Sequence, residues 1–481
     1  MAARTISQEA FEELVKENID DLGMDPTEAL QDAIQTLTLQ GVDLSGIVTC
    51  VPGESNPVID CLDRLKHLQS EPDDNQLAIM FNALHDLCSN PNPNSNQNAA
   101  IATKNGAVEL ACSLCSKIPH VTGSHVLLLS ALNALSSLLH DVKSTGTFQR
   151  CDGPRIVIGF LADNKQDVEV LSSVFRVVAS AATGDEIVKE SFMELKVDEL
   201  VLEILSLHKN KGIQSLYDAV RALLTPDDNR VVASQVYGYA RKFAKIGIAE
   251  ALVDSLSAGL CSPDLVSACT TLKTIAVNDE ICKSIAEKGG IDAVLRCVDD
   301  SGEQGNKAVA KVCCSLLSKF FLDSSENGTV TLVLFLFVLS YETSELAGSD
   351  MNKSEIVGKG GVDKLIKLSA RFADDPSVLL EIMSIISVLC LRSPENAARA
   401  VEAGAGDLAV QAMQKFPAAH QMQRNSCLMI RNLVVRNPEN RTILLNNGIE
   451  KYIRKAKETH SNCKDAATDA LRDLGLDNYN L

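Results

Sequence analysis

The stretch RSPENAARAVEAG, residues 392–404, is followed 44 residues later by RNPENRTILLNNG, residues 436–448. Each copy has Pro-Glu-Asn near its start and Gly at its end. Proline suits the first turn of a helix because it lacks an N–H donor, and glycine after the last turn tolerates a left-handed backbone. Each copy therefore predicts one short helix. After the first copy come an apolar segment, a polar break and the longer apolar segment QRNSCLMIRNLVV (423–435), so the unit is predicted to hold three helices.

This unit recurs along most of the chain. A Gly, or a residue in its place, opens an apolar segment at each marker, and successive markers are 47, 44, 50, 43, 71, 43 and 44 residues apart. The markers are Gly106, Gly153, Val197, Gly247, Gly290, Gly361, Gly404 and Gly448. A period in the low forties is typical of helical solenoids, in which each unit contacts only its neighbours. The 481 residues are therefore expected to form one elongated array of about eight or nine units rather than three globular domains.

The repeats resemble the armadillo repeat family. MIRNLVVRNPENRTILLNNG (429–448) and ALRDLG (470–475) are similar to that family's third and first helices, and the acidic segment from Phe11 to Val48 adds to the likeness. The resemblance implies an all-α fold, namely a right-handed α-solenoid (a superhelix) whose long third helices line the concave face. It also implies an intracellular protein, and it brings no established chemistry with it.

The chain before the array is expected to be helical as well. Residues 1–51 are predicted to form an N-terminal helical extension, with helices near Gln8–Leu22 and Pro26–Gln40. Asp25 before Pro26 supplies the start signal of the second helix. Residues 57–105 are predicted to form a helical cap or degenerate repeat, which a solenoid needs to cover its apolar end.

The armadillo repeat array is expected over 106–481, and the long interval between markers predicts an atypical inserted loop at 323–352. The apolar part of this loop, Val330–Leu339, is about half the roughly 20 residues that span a bilayer, so no membrane span is expected. Two explanations stay open: a retained segment of the transcript, which is favoured, or a loop that docks on a membrane or a partner.

Composition excludes several classes of function. The chain has 45 Lys and Arg against 63 Asp and Glu, a net charge of −18, which disfavours binding of nucleic acid and of anionic lipid. Its 15 Cys are scattered through apolar stretches, and the first residues lack the apolar core of a signal peptide. Reduced, buried cysteines in a cytosolic protein are therefore expected, with the nucleus as the other location.

No motif predicts catalysis. The sequence has no GxxxxGK[ST] phosphate loop, no GxSxG elbow and no HExxH pair. Cys112 and Cys115 form its one CxxC, but a zinc site needs a second pair at suitable spacing, so core packing is the preferred interpretation. We therefore expect no enzymatic activity, no cofactor and no metal site.

Function is expected on the third helices. Peptide-binding, importin-like armadillo members carry a recurring Trp and Asn there, and this chain has no Trp. Leu428 occupies the Trp place in the last clear unit, and Asn432 keeps the Asn. Elsewhere the Trp-equivalent residues are Asn133, Arg176, Thr270 and Ser315, and the Asn-equivalent residues are Ser137, Ser180, Thr274 and Lys319. Recognition of nuclear-localisation signals is therefore not expected.

Basic residues on these helices indicate another ligand. They are Arg176, Arg221, Lys273, Lys319, Arg424 and Arg431. We hypothesise a locally basic groove that binds an extended, acidic protein or peptide segment; alternatively, these side chains face solvent or pair with neighbouring acids. The leading function is a non-enzymatic interaction scaffold. The alternatives are a transport adaptor that carries cargo in the same groove and, third, an enzyme hidden in a solenoid. The sequence assigns no oligomeric state.

Overall fold

The computed structural model describes residues 4–51, 53–70, 73–118, 124–227, 234–320 and 347–476. Within these ranges the chain forms 28 α-helices, one short 3-10 helix (Ser461–Cys463) and two strands of two residues each. Two compact units can be separated, Met1–Ile204 with Ile213–Val236, and Leu205–Gly212 with Tyr237–Leu481. The predicted all-α fold is confirmed.

The N-terminal segment has a small core of its own. It contains β1 (Arg4–Thr5), α1 (Gln8–Asp20), α2 (Pro26–Leu39) and β2 (Val42–Asp43), and the two strands pair in parallel. Both helices start where the sequence predicts, because the Ser7 and Asp25 side chains accept hydrogen bonds from their first-turn N–H groups. The buried side chains that join the helices are Phe11, Val15, Ala29, Leu30, Ala33, Leu37 and Ile47.

The remaining helices follow in groups of three after an initial pair, α3 and α4. In chain order they are α3 (Pro57–Ser70), α4 (Asp74–Cys88), α5 (Ser95–Lys104), α6 (Ala107–Cys115), α7 (His125–Leu138), α8 (Val142–Arg150), α9 (Gly153–Asp163), α10 (Val168–Ala182), α11 (Glu186–Glu194), α12 (Val197–Leu207), α13 (Gln214–Leu224), α14 (Ser234–Lys245), α15 (Ile248–Ser257), α16 (Ser262–Ile275), α17 (Asp279–Glu287), α18 (Gly290–Gln304), α19 (Lys307–Lys319), α20 (Ala347–Gly358), α21 (Gly361–Arg371), α22 (Pro376–Leu389), α23 (Pro394–Glu402), α24 (Ala405–Lys415), α25 (His420–Val434), α26 (Pro438–Asn446), α27 (Glu450–Thr459) and α28 (Lys464–Asp473).

Most of the predicted inserted loop, including Val330–Leu339, lies outside the described residues. Its last positions, 347–352, belong to α20, the first helix of a three-helix group.

The third helices of successive groups pack on one another. In the first compact unit α4 contacts α7, α7 contacts α10, and α10 contacts α13. In the second, α16 contacts α19, and the series continues through α22 and α25 to α28. Apolar residues such as Phe175 and Ile382 are fully buried between them. Each unit therefore has a core that continues from one group to the next, as in a solenoid.

A residue in the left-handed region precedes each middle helix from α6 to α27. At five groups this residue is Gly106, Gly247, Gly289, Gly360 or Gly404 at the helix N-cap, at the last group it is Gly448, and at two groups it is Asp152 or Lys196. Four of the sequence markers are therefore one residue late, because the positive φ belongs to the residue before them. Gly290 and Gly361 have a different constraint: a Cβ there would lie 2.5 Å from the side chain of Ile285 or Ile356.

Candidate functional site: the third-helix faces

All fourteen candidate residues lie on third helices, and we call the partly exposed polar side of these helices the third-helix face. In the first compact unit the candidates are Asn133, Ser137, Arg176, Ser180 and Arg221; in the second they are Thr270, Lys273, Thr274, Ser315, Lys319, Arg424, Leu428, Arg431 and Asn432.

On the first unit's face, Asn133 forms hydrogen bonds through its backbone. Its backbone carbonyl accepts a hydrogen bond from the Ser136 hydroxyl (2.8 Å) and lies 3.0 Å from His85 Nδ1. Its side-chain oxygen is buried and has no hydrogen-bond partner among the described residues. Ser137, one turn later, donates to its own helix at the Ala134 carbonyl. Ser180 is half-buried.

The two arginines of this face differ in their neighbours. Arg176 is exposed, and within the described ranges no carboxylate lies within ion-pairing distance of it. Arg221 pairs with Asp218, three residues earlier on the same helix. The positive charge of Arg221 is therefore compensated locally, whereas that of Arg176 is available to a partner.

On the second unit's face, the end of α16 meets α19. Lys273 Nζ donates to Ser315 Oγ at 2.6 Å. The hydroxyls of Thr270 and Thr274 donate to carbonyls of their own helix, at 2.7 and 3.0 Å. Burial lowers the pKa of Lys319, and the positive charge of Lys273 lowers it further. Sequence-predicted residues from two neighbouring groups therefore come together here.

Towards the end of the chain, three candidates already interact with neighbouring helices. Arg431 lies 3.3 Å from Asp473 and 3.4 Å from Asp469, so its charge is compensated by two acids. The Asn432 side chain is buried and donates to the Ser387 carbonyl at 2.9 Å, and Leu428 is buried as well. Both side chains therefore contribute mainly to contacts between helices.

Arg424 is half-buried, and its Nη1 atom is buried with no hydrogen-bond partner in the described part of the chain. The positive charge of Arg424 acts against the rise that burial causes in the pKa of Cys463.

Sequence reasoning missed the partners of these residues. Asp469 and Asp473 compensate Arg431 across about one repeat, and Asn425 donates to Ser384 Oγ of the preceding third helix at 3.2 Å. The sequence did contain a signal for the pairing of Arg431: opposite charges on third helices lie about one repeat apart. Asp218 could have been found from its spacing of three residues to Arg221.

No arrangement of catalytic groups was found in the described ranges. A cavity of about 610 Å³ lies between α21 and α24 in the second unit, and its lining includes Ile366, Asp407 and Phe416 but no His or Cys. Cys112 and Cys115 are buried, and burial raises both thiol pKa values, that of Cys115 to about 12. Such thiols are poor nucleophiles at neutral pH.

The described part of the chain contains no group of three or more His, Cys, Asp or Glu side chains placed to hold a metal ion. No helix there has both the length and the apolar character needed to cross a membrane.

The chain is similar to known proteins at its start, where a family model matches, and over most of its length, where whole relatives align. Residues 3–73 match the family described as Armadillo repeat-containing protein 6 N-terminal domain. The chain is 28% identical over 417 residues to Armadillo repeat-containing protein 6 of Homo sapiens, covering 82% of this chain and 76% of that protein. It is 25% identical to the Drosophila melanogaster homolog, covering 84% and 80%.

Solved structures show the same fold at low sequence identity. An engineered protein superposes with a TM-score of 0.60 at 16% identity, covering 98% of this chain and 99% of that one. A structure from work on the interaction between cadherin and beta-catenin superposes with a TM-score of 0.59 at 14% identity, covering 96% and 80%. The resemblance to armadillo repeat proteins is therefore confirmed, and so is the α-solenoid fold.

Proposed function

Because this chain has the armadillo-repeat fold and resembles armadillo repeat-containing protein 6 in sequence, we propose that it is a non-enzymatic scaffold that binds an extended segment of another protein along its third-helix faces. Proteins of this fold typically act as scaffolds for other proteins. One structural neighbour comes from work on an interaction between two proteins, cadherin and beta-catenin.

One observation carries the proposal: within each compact unit, polar side chains follow one another from third helix to third helix. Examples are Asn133 and Arg176 in the first unit, and Lys273 and Ser315 in the second. An extended segment offers backbone donors and acceptors at regular spacing, and side chains repeated along stacked helices meet several of them at once. The resulting affinity is the sum of many modest contacts.

The transport-adaptor alternative has less support. Importin-like recognition depends on Trp side chains that hold long basic residues, and this sequence has none. No cluster of catalytic groups in the described ranges supports the enzyme alternative. We also propose a cytosolic location, with the nucleus as the other compartment, because all fifteen cysteines are free.

Site-specific photo-crosslinking tests the scaffold proposal. A benzophenone amino acid replaces Ser180 on the first unit's face or Thr270 on the second unit's face, in the full-length chain in cells. Matched positions away from these faces are Glu199 on α12 and Lys283 on α17, whose side chains are 59% and 52% exposed. We expect partner proteins to be crosslinked from Ser180 and Thr270 and not from the controls. Equal crosslinking from all four positions, or crosslinking from the controls alone, would overturn the proposal.

A further inference from the structure

Two lysines from neighbouring groups share one part of the second unit's third-helix face. Lys273 lies in the last turn of α16, and Lys319 ends α19. Both side chains are half-buried, and Ser315 lies between the helices, where its Oγ accepts the hydrogen bond from Lys273. The positive charge of Lys273 lowers the pKa of Lys319.

Neither lysine has an ion-pair partner in the part of the chain that the structure describes. Asp279 raises the pKa of Lys319, but this effect is weaker than the lowering by burial and by Lys273. By contrast, Arg431 has two carboxylates within 3.4 Å. Two like charges that repel each other in partial burial are unfavourable, and a bound anion relieves that repulsion.

We propose that Lys273, Lys319 and the Ser315 hydroxyl bind the phosphoryl group of a phosphorylated serine or threonine in a partner segment. A phosphate monoester carries a charge of about −1.5 to −2 near pH 7, which matches two ammonium groups, whereas a carboxylate supplies one charge. Ammonium groups and a hydroxyl are also suitable donors for its oxygens. This site rests on the proposed function, since the segment that carries the phosphate lies along the third-helix face.

A purely structural role for the lysines makes a different prediction. Both lie in last turns of helices, where a positive charge interacts favourably with the helix dipole. That role needs no ligand, so phosphate would not change the reactivity of either lysine, and the substitution of either would lower stability without changing the preference for a phosphorylated peptide.

The first test uses inorganic phosphate and the unmodified full-length protein. Lysines are acylated with limiting acetyl-N-hydroxysuccinimide in phosphate or in chloride at equal ionic strength, and each site is quantified by peptide mass spectrometry. We expect acylation of Lys273 and Lys319 to slow about threefold or more in phosphate, as a bound anion covers them and holds their protons. The internal control is Lys288, which is 54% exposed and pairs with Glu250 at 3.2 Å. No slowing, or equal slowing at all three lysines, would overturn the proposal.

The second test compares three fluorescent Gly-Ser peptides that differ at one central residue: phosphoserine, glutamate or serine. Fluorescence anisotropy should give the order phosphoserine, then glutamate, then serine, and Lys319→Gln should weaken phosphoserine binding about tenfold through loss of one charge-assisted contact. Lys288→Gln should leave binding unchanged. A phosphoserine preference that survives Lys319→Gln together with Lys273→Gln contradicts the site. Crosslinking from Thr270 without any phosphate effect would reject this site and leave the scaffold function intact.

Discussion

Substitution of the fully buried Lys189 by methionine should strongly destabilise the first compact unit. Lys189 has no exposed side-chain area, and its Nζ lies 2.8 Å from Glu186 Oε1 and 3.3 Å from Asp227 Oδ2. It also donates to the Thr225 carbonyl at the end of α13. The lysine therefore joins the first helix of one group, α11, to the end of the third helix in the same group.

The expected magnitude follows from burial. Glu186 is 3% exposed, so Lys189→Met leaves a carboxylate in the interior without its cation. Removal of one partner of a buried ion pair costs about 3–5 kcal/mol, most of it the cost of the remaining charge. Asp227 is 26% exposed and recovers part of its loss from water. The double variant Lys189→Met with Glu186→Gln removes both charges and should recover roughly 2–3 kcal/mol of the loss.

Native-state hydrogen exchange measured on peptides from α11 and α13 is the appropriate assay, because long repeat arrays do not always unfold in one step. The matched control is Lys66→Met, which breaks another pair spaced by three residues, with Asp63 at 3.1 Å. Both of its side chains are more than half exposed, so the change should be about 1 kcal/mol or less. If Lys189→Met also costs no more than about 1 kcal/mol, or if the double variant is no more stable than the single one, the buried charge does not dominate the effect.

Two further predictions concern the second unit. Gly361→Ala should destabilise it by about 1–3 kcal/mol, because the new Cβ would lie 2.5 Å from Ile356. In the control variant Gly358→Ala the new Cβ meets no atom within 4 Å, so the effect should be neutral or slightly stabilising. Urea unfolding of both variants checks this prediction. Burial alone would raise the pKa of Asp375, but Lys307 and the N–H groups at the start of α22 hold it at about 2. Because the folded pKa lies below the unfolded value of about 4, this stabilisation is complete above pH 4 and is lost as the pH falls towards 2. Asp375→Asn should therefore flatten the decline in α22 exchange protection between pH 4 and 3, and an unchanged decline would assign it to other groups.

The repeat architecture could be predicted because its signals are local. Pro394 and Pro438 occupy the first turns of α23 and α26, and the N-cap side chains before them accept hydrogen bonds from those turns. Where Gly was absent, the position of the left-handed residue could not be read from composition, and Asp152 and Lys196 take that conformation instead. A left-handed residue therefore precedes the middle helix in these two groups as well, although it is not Gly.

The state of several site residues could not be predicted, because it depends on residues about one repeat away. Arg431 and Lys319 occupy similar places late in third helices, yet the first faces two acids on the next third helix. The next third helix after α19 is α22, and its second half, residues 382–389, contains no Asp or Glu. Counting basic residues on helices therefore overestimates the basic character of the face, and only side-chain positions separate compensated from uncompensated charges.

The net charge of −18 does not decide what binds to these faces. At physiological ionic strength, charges farther apart than about 8 Å are largely screened from one another in solvent. A segment in contact with the second unit's face therefore interacts with Lys273 and Lys319 far more strongly than with the acids of distant helices. At low salt the screening length grows, and the excess of negative charge then slows the approach of any anionic partner. An anionic segment should consequently bind this protein slowly at low salt, and its residence should depend on the two lysines rather than on the overall charge.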